Sequence, residues 1–162
     1  MSVNIISHSN IYTLSAQQVL PISISEAWKY FSSPENLKEL TPPEMQMNVT
    51  SGKPEKAYAG QIITYNLAVA KGIRINWVTE ITQVLQEKMF IDEQRFGPYK
   101  MWHHEHTFEK IDEHSCLMKD KISYKLPLGF LGKIAHVLFV KNQLKGIFNF
   151  REQKVNEVFG KL

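Results

Sequence analysis

His104 and His106 stand two positions apart in Trp102-His103-His104-Glu105-His106-Thr107-Phe108, and Asp120 follows in Met118-Lys119-Asp120-Lys121-Ile122. If both segments are strands, alternate residues share a face. Trp102, His104, His106 and Phe108 then oppose Met101, His103, Glu105 and Thr107, and the two large aromatics mark the first set as inward. Cys116, Met118, Asp120, Ile122 and Tyr124 form the inward set of the second strand, against Lys119, Lys121, Ser123 and Lys125. Asp92 and Gln94 share a face with Phe90 in the strand before. A carboxylate buried alone is costly, and the histidines are its natural partners. Pairing of charged groups would raise the imidazole pKa values and lower the carboxylate ones.

Three readings fit these residues. One is a satisfied polar network that shapes the sheet. Another is recognition of a carbonyl or hydroxyl head group inside an apolar pocket. The third is chemistry: a His–Asp pair beside a ligand carbonyl can move a proton in an aldol cyclisation or dehydration, with His104, His106 and Asp120 as candidate catalytic residues. His-x-His on a strand puts two imidazoles about 7 Å apart at Cα, which can chelate zinc with a third ligand. No other His or Cys has ligand spacing, so neither a metal nor a cofactor is expected. No nucleophile elbow, P-loop or dinucleotide fingerprint is present. Asp92 depends on register. A two-residue loop at Gly97-Pro98 would place it with His103, whereas a longer loop or a bulge returns it to the face of His104.

The elements that must hold these residues follow from periodicity. Residues 11–20 alternate as a half-buried strand, with Tyr12, Leu14, Ala16 and Leu20 on one side. Ser23 and Glu26 have capping-box spacing before a stripe of Ile24, Ala27, Trp28 and Phe31. Ser33-Pro34 opens a second short helix, which Thr41-Pro42-Pro43 stops. Strands are then expected over 61–69, 73–81, 88–96, 99–109 and 115–125, with a turn at Lys71-Gly72. From Leu131 the apolar period becomes helical, through Ile134, Val137, Leu138, Leu144 and Phe148 to Phe159. Gly132 and Gly146 are where a bend is expected. This predicts an α+β fold: a curved antiparallel sheet of about seven strands around a long C-terminal helix, with two short helices after strand 1. Such a sheet must bury its apolar face, and that helix is the only element large enough. A gap between them would be a natural pocket.

Tyr65, Trp77 and Tyr124 are candidates to line that pocket, since buried phenols need partners. Leu126, Leu128, Phe130 and Leu131 read as its lid or mouth. Trp28 reads as core. Arg151 interrupts the apolar side of the last helix and is read as snorkelling to solvent, with anchoring of an acidic group as the alternative. Lys133, Lys141 and Lys145 among apolar residues would also suit a membrane-surface helix, but the need for this helix as core favours burial.

The element order, and above all Phe90-Ile91-Asp92-Glu93-Gln94, Gly97-Pro98-Tyr99, Trp102, His104-Glu105-His106, Phe108, Met118-Lys119-Asp120, Tyr124, Pro127, Gly129, Gly132 and Phe150-Arg151, resemble the START/Bet v 1-like (SRPBCC) helix-grip superfamily. The nearest look is to a bacterial polyketide cyclase/dehydrase-like branch. The resemblance implies a helix-grip fold and members that bind lipids, sterols, quinones or polyketides, a few of them enzymes.

The expectation is one helix-grip ligand-binding domain over 1–162, with 1–9 a flexible start. It would bind a small, mostly apolar molecule (a lipid, quinone, polyketide or similar) through Tyr65, Trp77, Asp92, Gln94, Trp102, His104, His106, Phe108, Asp120, Tyr124, Phe130 and Leu131. The alternative is a small cyclase- or dehydratase-type enzyme using the His/Asp pair. A net charge of +3 with no dense basic run argues against nucleic acid. No stretch reaches the ~18–20 apolar residues of a membrane span. No signal peptide is visible, so a cytoplasmic monomer or homodimer is expected. The lone Cys116 cannot staple the fold and reads as a core residue.

Overall fold

Alternation of apolar and polar residues gives the strands of the chain. The computed structural model describes residues 3–52, 56–70 and 72–161. Its strands are β1 (Asn4–His8), β2 (Ile11–Leu20), β3 (Asn48–Val49), β4 (Gln61–Ala70), β5 (Ile73–Leu85), β6 (Met89–Phe96), β7 (Met101–Lys110) and β8 (Cys116–Lys125). They form one antiparallel sheet in the order β1-β2-β8-β7-β6-β5-β4-β3. Register shifts between Val78 and Thr79, and again between Ile81 and Gln83, bend β5 against β6. The convex face is wet and carries cross-strand pairs such as Lys121–Glu105 and Lys119–Glu109.

Two short helices, α1 (Ile24–Phe31) and α2 (Pro34–Leu37), fill the link from β2 to β3. The capping box is complete, with Ser23 and Glu26 bonding each other's backbone N–H. Pro34 sits at the start of α2, where its missing donor costs nothing. The C-terminal helix runs as α3 (Gly129–Ala135), a π-helical turn (His136–Val140) and α4 (Lys141–Phe159).

Several expectations are corrected. The sheet has eight strands rather than about seven, because two short edge strands, β1 and β3, lack the length or alternation that marks the rest. Of the expected flexible start, residues 4–8 pair with residues 11–15 of β2. Met1, Ser2 and, in the expected turn, Lys71 lie outside the described residues. The irregularity in the last helix falls at His136–Val140, at neither glycine. Its inner face is Gly132, His136, Leu144, Phe148, Arg151 and Val155. Leu131, Ile134, Val137 and Leu138, expected inside, are exposed.

The C-terminal helix packs on one half of the sheet. Leu144 and Phe148 join Leu14, Ala16, Ile122 and Tyr124, from β2 and β8. Val155 joins Leu20, Ala27, Phe90, Phe108, Cys116 and Met118. The third cluster, Met47, Ile63, Tyr65, Leu67 and Ile81, holds no residue of that helix. Helix and sheet therefore diverge over β4 and β5.

Candidate functional site

Three neighbouring strands bring the polar residues together. Asp92 on β6 lies opposite His104 on β7, and His106 lies opposite Asp120 on β8. The link between β6 and β7 spans residues 97–100, which settles the register and puts Asp92 on the face of the histidines. Diagonal hydrogen bonds then tie the group. His104 Nε2 lies 2.9 Å from Asp120 Oδ1, and His106 Nε2 lies 2.9 Å from Asp92 Oδ2. His104 Nδ1 is 3.4 Å from the same Asp92 oxygen. The two imidazoles lie tilted at 37° with centroids 3.7 Å apart, and Phe90 stacks on His106 at 4.1 Å. Arg151 reaches in from α4, its Nη1 donating to Asp120 Oδ1 at 3.2 Å and its guanidinium lying over Phe148.

His104, His106, Asp120 and Arg151 are buried and Asp92 is half-buried. Burial would raise both carboxyls, but it is outweighed. Arg151 and the histidines hold Asp120 well below the usual carboxylate range, and His104 and His106 hold Asp92 below it. The imidazoles split. Burial, helped by the charge on His106, lowers His104, whereas the carboxylates of Asp120 and Asp92 overcome burial and raise His106. Only His106 follows the expectation of a raised imidazole. A proton on His106 together with Arg151 would offset the two carboxylates. Two donors remain unused: Arg151 Nε and His106 Nδ1 are buried without a hydrogen-bond partner. His106 Nδ1 does approach Asp120 Oδ1 to 2.9 Å, but off the line its N–H requires.

The divergence of helix and sheet opens a cavity of about 460 Å³. Asp92, His104, His106 and Arg151 lie in its wall, which is otherwise mostly apolar. Of the other sequence candidates, Tyr65, Trp77, Trp102 and Leu131 also line it. Burial, then the nearby Asp92 charge, pushes the Tyr65 phenol up, so it stays protonated. Trp77, Tyr99 and Trp102 form one aromatic wall, with Trp77 edge-on to Trp102 at 5.3 Å.

Five candidates lie elsewhere. Gln94 braces the β6–β7 link, donating to the Tyr99 carbonyl and accepting from the Tyr99 N–H. Phe108 packs edge-on to Trp28 in the core. Asp120 sits behind the histidines, outside the cavity wall. The Tyr124 hydroxyl is bound to His136 Nε2 at 2.7 Å. Phe130 is exposed. Leu126 and Leu128 also line the cavity. Arg151, read as solvent-facing, is buried, because Asp120 offers it a charge partner inside. An inward acid and an inward base on elements that must pack was the signal for this pair. Tyr99 and Phe148 were missed as lining residues. Cys116 is fully buried, and burial pushes its thiol up to about 11, which removes it as a nucleophile.

Asp92, His104 and His106 are the residues that could hold a metal, their donor atoms lying within 4.8 Å of one another. Each histidine would then have a second nitrogen facing Asp120, the usual arrangement behind a metal-bound imidazole. An ion would also have to displace the bond between His106 and Asp92.

No family model and no curated protein matches the sequence. Solved structures do match. A protein from Arthrobacter aurescens is 10% identical with a TM-score of 0.70, over 96% of this chain and 91% of its own. Major latex-like protein 151 from Panax ginseng is 13% identical with a TM-score of 0.67, over 93% and 99%. Norcoclaurine synthase from Thalictrum flavum, in complex with dopamine and hydroxybenzaldehyde, is 15% identical with a TM-score of 0.63, over 91% and 87%. The chain therefore has the Bet v 1-like helix-grip fold.

Proposed function

We propose that the protein binds a small, mostly apolar molecule carrying one oxygen-bearing head group, in the cavity between the C-terminal helix and strands β4 to β7. One observation carries this reading: an apolar cavity whose polar wall contains a buried donor, Arg151 Nε, that lacks an acceptor. A buried donor left unsatisfied is costly, and a carbonyl, hydroxyl or carboxylate oxygen would relieve it. The volume lies in the ~300–1,000 Å³ range of small-molecule sites. A fold shared with a synthase whose structure holds dopamine and hydroxybenzaldehyde is consistent with an aromatic or similar occupant.

The test is solvent extraction of the purified protein followed by mass spectrometry. A stoichiometric lipid, quinone or aromatic is expected, with strongly reduced recovery from Arg151→Met. Protein that carries nothing and takes up no apolar compound offered to it would overturn the reading.

A second reading, a cyclase- or dehydratase-type enzyme of the polyketide cyclase-like branch, has its own support. His104, whose pKa burial lowers, and His106, whose carboxylate partners outweigh burial and raise it, lie side by side in the cavity wall, as a base and an acid serving one substrate would. In that case His104→Ala and His106→Ala abolish turnover while the extracted ligand is still bound. If they lower only folding stability, the pair is structural.

A further inference from the structure

We infer that the start of the C-terminal helix is a docking surface for an anionic lipid bilayer. Leu128, Phe130, Val137 and Phe139 are 77%, 74%, 69% and 68% exposed, and Leu131 and Leu138 are exposed with them. Six large apolar side chains within twelve residues, facing water, are not the scattered exposure normal for a folded surface. They are exposed because only the narrow strip of Gly132 and His136 meets the sheet here. Tyr12 stacked on His136, and Tyr124 bonded to it, hold the segment with its apolar sides outward.

The charge around the patch selects the partner. Residues 121–151 contain Lys121, Lys125, Lys133, Lys141, Lys145 and Arg151, and no Asp or Glu. Lys121 and Arg151 are engaged by Glu105 and Asp120, while Lys133, Lys141 and Lys145 make no ion pair among the described residues. Apolar side chains that can enter the acyl boundary, flanked by lysines at headgroup level, are the pattern of an interfacial helix on anionic lipid. A two-fold pairing of this face with itself would set lysine against lysine with no acid between them. No helix among the described residues is long and apolar enough to cross a bilayer, so the contact is peripheral. Leu128 and Leu131 belong both to this patch and to the cavity wall. A docked bilayer would thus close the cavity mouth on its lipid side.

The docking claim does not need the ligand reading, and the two are read separately. The test is co-sedimentation with vesicles of phosphatidylcholine and phosphatidylglycerol, 7:3, and with phosphatidylcholine alone. Binding is expected to the mixed vesicles, weaker in high salt and much weaker on phosphatidylcholine. Phe130→Ser/Phe139→Ser, which leaves the cavity wall intact, should weaken it by roughly tenfold or more. Lys133→Glu/Lys141→Glu should remove the preference for anionic lipid. Near-ultraviolet circular dichroism checks that both variants fold. No binding to mixed vesicles, or binding unchanged in the Phe130/Phe139 variant, overturns the inference. So does a dimer in analytical ultracentrifugation that the same variant dissolves while vesicles are ignored.

Discussion

His104 and His106 have the same chemistry and nearly the same surroundings, yet their protonation is pulled in opposite directions. His106 is raised, so its contribution to stability is complete below the unfolded imidazole value of about 6.5 and is lost as pH rises through its folded pKa. His104 is lowered, so its contribution is complete above about 6.5 and is lost as pH falls towards its folded pKa. His136, lowered by burial and then by Lys141, adds to the acid side. Asp92 and Asp120 are lowered too, so their contributions are lost only as pH falls below about 3.9. Unfolding free energy from urea titration should therefore peak near neutral pH and fall on both sides. In His104→Gln/His106→Gln the decline above neutral should vanish, and the acid decline should shrink to the part His136 supplies. A wild-type profile flat from pH 5 to 8 would mean the imidazoles are not held apart.

At the scale of elements, the C-terminal helix shows how one wide turn redirects a face. Its inner residues through the π turn, Gly132, His136 and Leu144, are spaced in fours and eights. A regular helix of 3.6 residues per turn drifts off such a line, and a wider turn restores it. The buried contacts of this stretch are few. They are the bond of Tyr124 to His136, the Tyr12 stack at 3.6 Å, and Gly132, where a Cβ would fall 2.2 Å from the Pro127 carbonyl oxygen. Tyr124→Phe would strand the His136 nitrogen and should cost about 1–3 kcal/mol. Hydrogen exchange should quicken over residues 129–140 first; uniform loss of protection would instead place the damage in the sheet. Strands β7 and β8 were legible in the sequence because each alternates buried and wet positions along its whole length. The inward face of the C-terminal helix was not, since Leu131, Ile134 and Leu138 carry a regular apolar period that the π turn leaves facing water. Asp92 was undecided for a related reason, as its face depends on the 97–100 link that Gln94 braces.

Over the whole molecule the decisive feature is a mismatch between the C-terminal helix and one bent sheet. The element order, the sheet and its helix could be read from periodicity, because burial of one face requires a partner of that size. Where that partner stops touching the sheet could not, because it depends on the bulges between β5 and β6 and on the inward ion pair of Arg151 with Asp120. The result separates two kinds of buried leucine. Leu14 is enclosed on all sides in the cluster with Leu144 and Phe148, whereas Leu67 faces the cavity. An added bulky group at Leu14 meets packed atoms, and overpacking of that kind costs about 1–3 kcal/mol or more. At Leu67 the same group enters open space. Leu67→Trp should therefore leave the urea midpoint close to wild type, while Leu14→Trp lowers it clearly. The same Leu67→Trp protein should carry less extracted ligand, because the indole takes the ligand's volume. If Leu67→Trp is as damaging as Leu14→Trp, the space over β4 and β5 is packed in solution and cannot hold a guest.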